Sequence, residues 1–153
     1  MRIEKPELVN ALATVLGDAV VFSYKLLGAH WNVVGPDFHQ NHAFFQMLYE
    51  DVEGMIDPTA ENIRKLGSPA PFRLSDLTGL SRIVESDAGS SFTALCIDAY
   101  EANEIILFDI GRAFDIATAL DEQGMADFLA GRNDMHMKWR WQLSASMQMA
   151  DEE

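Results

Sequence analysis

The sequence predicts an all-α protein: a bundle of four long helices with a short extra helix in the connection between the second and third. Three observations predict it. Apolar residues recur at three- and four-residue steps, sustained two-residue alternation is absent, and turn residues punctuate the helical stretches. The 153 residues fit one domain, residues 1–153, with a core large enough to fold without staples.

The first helix is expected from about Pro6 to Trp31, because Leu8, Leu12, Val15, Leu16, Ala19, Phe22, Leu26 and Ala29 form one apolar stripe. Gly35-Pro36-Asp37 breaks it. A second helix should run from about Asp37 to Leu66, kinked near Gly54 to Asp57 because Pro58 removes a backbone donor. Gly67 is placed to stop it. After the loop 67–73, Ser75 to Ile83 reads as the short helix. The third long helix opens at Gly89-Ser90-Ser91, with Ser90 or Ser91 as cap, and runs to about Leu120. The fourth follows the Asp121–Gly124 turn and ends near Met149. Four long helices with one long connection match the ferritin-like form of a bundle, although pattern alone does not choose among bundle families.

Composition narrows the function. Lys and Arg total 11 against 24 Asp and Glu, a net charge of −13, and no segment is a basic arm. Such a surface repels phosphate backbones and attracts cations. The opening Met1 to Pro6 lacks the apolar stretch of a signal peptide, and no apolar run approaches the ~20 residues of a membrane span. The expectation is a soluble, cytoplasmic protein. The single cysteine, Cys96, fits a reducing compartment and reads as a small buried hydrophobe.

The chemistry concentrates on the second helix. His42, Gln46, Glu50, Glu53, Asp57 and Glu61 are spaced by 4, 4, 3, 4 and 4 residues, so a straight helix carries them within an arc of about 100°. A solvated polar face is the usual meaning of such a stripe. Here, however, His42 with Gln46 and Asp57 with Glu61 are i, i+4 pairs of nitrogen and oxygen donors, which suit iron and also zinc. His42 and Glu61, Gln46 and Asp57, and Glu50 and Glu53 each lie equally far from a point between residues 51 and 52. An antiparallel copy across a two-fold axis there would set His42 against Glu61 of the copy. Within one straight helix they are about 28 Å apart and cannot share a metal. A two-fold dimer would form two equivalent sites. His30 joins by position, twelve residues before His42 across the Gly35-Pro36 turn. His39 is expected to be exposed, and His136 to pack or hydrogen-bond.

The run His30-Trp31-Asn32-Val33-Val34-Gly35-Pro36-Asp37-Phe38, then His42, Phe45, Asp57 and Ala60-Glu61-Asn62-Ile63-Arg64-Lys65-Leu66-Gly67, resembles the Dps family of mini-ferritins. Asp127-Phe128-Leu129, Arg132, His136, Lys138 and Trp139 resemble its final helix. The resemblance implies a hollow homo-dodecamer built from two-fold dimers. It implies an enzyme, a ferroxidase that oxidises Fe(II), usually with hydrogen peroxide, and stores ferric mineral. In that family the metal site lies between two-fold related subunits. His30 and His42 match the ligands of one subunit, Asp57 and Glu61 those of its partner, with Glu61 a bridge between metals. Trp31 matches an aromatic beside the site, or simply packs at the end of the first helix.

The sequence departs from the family in two places. Gln46 stands where an aspartate is common, and an amide oxygen is a weaker ligand for Fe(III). Glu50, one turn on, compensates only if it reaches the site. The termini lack the Lys-rich tails with which many members bind DNA: Arg2 and Lys5 stand beside Glu4 and Glu7, and the chain ends Asp151-Glu152-Glu153. Direct DNA binding is therefore not expected. The leading expectation is iron storage with protection against oxidative damage; the alternative is a non-enzymatic shell or nucleoid protein with a weakened metal site.

Overall fold

A computed structural model describes residues 5–147. The charged ends singled out above, Arg2, Glu4 and Asp151–Glu153, lie outside the described residues, as does the expected helix end at Met149. The helices are α1 (Pro6–Asn32), α2 (Phe38–Gly54), α3 (Ile56–Lys65), α4 (Leu74–Leu80), α5 (Phe92–Ala119) and α6 (Gln123–Met147). Together α2 and α3 are the second helix expected from the sequence, so the predicted architecture of four long helices and one short one holds.

Local chemistry sets the boundaries. Pro6 opens α1, where its missing N–H costs nothing. The Ser91 hydroxyl caps α5 by accepting from the Ala94 N–H at 3.2 Å. Gly67, at φ 84°, ends α3: its N–H reaches the Arg64 carbonyl and that of Ser68 the Ile63 carbonyl, the paired closure that a left-handed residue makes available. Met55 alone separates α2 from α3, with φ −87° and ψ −11°. Pro58 has no N–H for the Gly54 carbonyl, and the Thr59 N–H then resumes the ladder on Met55 at 3.1 Å. The donor stripe is thus interrupted between Glu53 and Asp57, and the straight-helix arithmetic applies to each side separately.

α4 ends at Leu80, three residues before the expected Ile83. Ser81 turns to extended backbone because its hydroxyl and the Arg82 N–H donate to Asp18 on α1 instead. α1 and α4 approach closely at Gly17, where a Cβ would sit 2.6 Å from the Leu77 carbonyl oxygen. α5 runs antiparallel to α1, with Lys25 paired to Asp98, Arg82 to Asp109 beside Asp18, and Lys5 to Glu122 at the far end. Phe22, Phe45, Leu12, Leu48, Ile106 and Leu129 are wholly buried where the long helices meet.

By length and mean hydropathy α1 could cross a membrane, although Asn10, Thr14, Asp18, Ser23 and Lys25 keep each unbroken apolar run short, as expected from the sequence. Its most apolar stretch is 72% buried inside the bundle, so the other helices cover its apolar surface. Cys96 is fully buried, and burial pushes its thiol up to about 12, as a packing residue requires.

Candidate metal centre

α1 and α2 bring His30 and His42 into contact. Their rings stack with centroids 3.6 Å apart. Nδ1 of His30 lies 2.7 Å from the His42 carbonyl oxygen, and Nδ1 of His42 lies 2.7 Å from the His30 carbonyl oxygen. A carbonyl only accepts, so each Nδ1 carries a proton, and in the neutral tautomer the lone pair lies on Nε2. This reciprocal clamp is the form in which imidazole serves as a metal ligand, with its other nitrogen held by an oxygen. Tyr49 meets the His30 ring edge-on at 5.2 Å, and Phe38 stacks on His42 at 5.0 Å. Neither aromatic was assigned a role from the sequence, although Phe38 lies in the run that carries the resemblance. Their spacing, four residues before and seven after His42, was the available signal.

Gln46 lies one turn beyond His42, and its amide donates to the Glu50 carboxylate at 2.9 Å. Its carbonyl oxygen is therefore the donor atom left for any cation, and Glu50 orients it. Asp57 and Glu61 are exposed on α3. The structure does not bring them to His30 and His42: among the described residues of one chain, no three His, Cys, Asp or Glu side chains converge as a metal group. His39 is exposed, as expected. Trp31 is 64% exposed, so within one chain it does not pack into the core.

His136 is a different kind of histidine. It is wholly buried on α6, accepts from Arg132 through Nε2 and donates from Nδ1 to the Asn103 side-chain oxygen, both at 2.9 Å. Burial and the neighbouring Arg132 charge push it down to about 3, with Asp51 opposing, so it is neutral. Arg132 forks onto Asp51 at 2.8 and 2.9 Å, and the Trp139 indole donates to the same carboxylate at 2.7 Å. Burial raises Asp51, but these donors outweigh it and hold the carboxyl below its usual range. The cluster fastens α2 to α6 and offers no free donor atom on His136.

A ferritin-like domain model matches residues 9–150. The chain belongs to the ferritin-like family. Within that family it is similar to Dps proteins, as the residues from His30 to Gly67 suggested. It is 29% identical over 129 residues to a DNA protection during starvation protein of Brevibacillus brevis, covering 84% of this chain and 87% of that protein. A second protein of that name, from Bacillus anthracis, is 27% identical over 139 residues, covering 91% and 95%. The crystal structure of a Dps protein from Vibrio cholerae O1, described as a member of a broad superfamily of ferritin-like diiron-carboxylate proteins, matches with TM-score 0.89 and 25% identity, covering 93% of this chain and 89% of that one.

Proposed function

We propose that this protein binds Fe(II) and oxidises it with hydrogen peroxide, at a site made by His30 and His42 of one chain and Asp57 and Glu61 of a two-fold partner. The observation that carries the reading is the reciprocal His30–His42 clamp, which leaves both Nε2 atoms as donors. Two nitrogens do not retain iron against water, and the exposed carboxylates of α3 supply the oxygen donors that Fe(III) prefers. Two Fe(II) give two electrons to one peroxide, which takes two protons and leaves as two waters, so no hydroxyl radical forms. The ferric product collects in a dodecameric shell whose acidic lining attracts cations. Protection of DNA then follows from removing iron and peroxide together; the charge of −13 works against direct contact. The lone buried cysteine suits a reducing, cytoplasmic setting. Zinc fits the same donors as a competitor.

A second reading, a shell with a weakened site, rests on Gln46, which contributes no negative charge. Anaerobic Fe(II) titration followed by peroxide addition tests both. Saturable binding with fast, peroxide-dependent Fe(III) formation supports the ferroxidase. Assembly without oxidation above the protein-free rate leaves the shell alone.

A further inference from the structure

Asp18 on α1 and Asp109 on α5 are 0% and 3% exposed. Each spends one oxygen on the segment that follows α4. Asp18 Oδ1 accepts from the Ser81 hydroxyl at 2.9 Å and the Arg82 N–H at 2.8 Å, and Asp109 Oδ1 accepts from the Arg82 guanidinium at 2.5 Å. As carboxylates, both would leave Oδ2 buried without a donor. Two such orphans on paired carboxylates are costly, because buried polar groups ordinarily find a partner. One Arg82, half-exposed and leaning on Phe108, supplies charge for only one of the pair.

We infer that Asp18 and Asp109 share one proton and, through Ser81 and Arg82, form a pH-sensitive latch holding the segment after α4 onto the α1–α5 seam. The proton supplies the donor that both Oδ2 atoms lack and leaves the pair with a single negative charge, which Arg82 matches. Burial first, then Asp109 as hydrogen-bond partner and like charge, push Asp18 up to about 8, against the Arg82 and Ser81 donors that lower it. Among the described residues, other charged groups on the packed elements pair elsewhere: Lys25 with Asp98, Lys5 with Glu122, Arg73 with Asp76, Arg140 with Glu104, and Arg132 with Asp51 and His136. Among the described residues, Arg82 is the cation paired to these aspartates, and the shared proton balances the rest. Above that pH, two like charges face each other in a buried site with one cation, and the latch opens. Gly17 gives the opening its location, since α4 rests on α1 there with no side chain between.

The sign follows from proton linkage. The closed latch holds a proton that an opened, hydrated aspartate releases above about 4, so opening becomes easier as pH rises and levels off above about 8. Hydrogen exchange of the intact protein, followed on peptides covering residues 77–83 and corrected for the intrinsic pH dependence, reads this directly. Protection should fall about tenfold per pH unit from pH 6 to 8 and then flatten. Asp109→Asn should remove that slope, because its amide donates to Asp18 without a shared proton. Flat protection in the wild type, or an unchanged slope in Asp109→Asn, would overturn the latch. Infrared titration of the wild type needs no variant. A protonated-carboxyl band persisting at pH 6.5 and vanishing by pH 9 is the expected result, and no such band at pH 6.5 would mean that the pair holds no proton.

Discussion

The two histidine sites of this bundle are built from the same residue type and behave in opposite ways. His136 has both ring nitrogens occupied, by Arg132 and Asn103, in a wholly buried pocket. Among the described residues, His30 and His42 have only Nδ1 occupied, each by the other's carbonyl. The first arrangement locks a ring into the fold; the second leaves Nε2 without a protein partner. What separates a structural histidine from a candidate ligand is therefore the fate of the second nitrogen, and burial alone does not sort them: His30 is itself only 8% exposed.

The comparison breaks hardest at the proposed metal site. His42→Ala and Glu61→Ala should each slow Fe(II) oxidation by roughly two orders of magnitude, the upper range for changes around a metal, with helix content and assembly unchanged. Their unmixed proteins should be equally dead, whereas dissociating and reassembling an equal mixture should restore about a quarter of the sites, because half of the dimers are mixed and one of two sites in each is intact. Absence of any rescue would overturn the shared site, since one chain does not bring these groups together.

Removing a partner from the other cluster should do the reverse. Asp51→Ala leaves the Arg132 guanidinium, 11% exposed, without its carboxylate and strips the Trp139 indole of its acceptor. The cost should be about 2–4 kcal/mol in denaturant unfolding, near the range for breaking a buried pair. Initial iron oxidation by the folded protein should change far less. If Asp51→Ala unfolds as easily as wild type, the cluster does not fasten α2 to α6.

The clusters were unequally legible. The i, i+4 pattern singled out His42, Gln46, Asp57 and Glu61 as candidates because one helix face is a local property of sequence. The kink at Pro58 was legible for the same reason, although its confinement to Met55 was not. The His30–His42 clamp depends on how a turn of a few residues stacks two helices, and periodicity does not encode that distance. Still less visible was the Asp51–Arg132–Trp139 contact, which spans more than 80 residues. The same distance effect shortened α4, whose last turn yields to Asp18, 63 residues upstream. Local chemistry named the donors, and tertiary hydrogen bonds decided which of them are free.

His136 also sets a pH signature. Its folded pKa near 3 lies below the ordinary 6.5, so the unfolded chain takes up a proton that the folded protein refuses. Its contribution to stability is therefore complete above 6.5 and is lost as pH falls towards 3. The stability difference between wild type and His136→Gln, which cannot titrate, should shrink by up to about 1.4 kcal/mol per pH unit between pH 6 and 4. A constant difference across that range would mean that His136 is solvated and charged in the fold.

The smallest effect expected is at Gln46, and it decides between the two functional readings. In the present geometry the Gln46 amide is held by Glu50, leaving one neutral oxygen for a cation. Gln46→Asp replaces that oxygen with a charged carboxylate, which hard Fe(III) favours. It also forfeits the bond to Glu50 and sets two acids one turn apart, a repulsion worth a few tenths of a kcal/mol on an exposed helix face. The gain in ligand charge outweighs that loss once iron is bound, because the metal neutralises both acids. Oxidation should accelerate by about tenfold or less, the lower end of what changes around a ligand produce. Without metal, the melting temperature should drop slightly. Glu50→Gln offers the matching control: if Glu50 acts by orienting Gln46, it should slow the wild type but leave Gln46→Asp largely unaffected. An unchanged rate in Gln46→Asp, with Glu50→Gln inactive in both backgrounds, would instead make Glu50 the ligand and Gln46 a bystander.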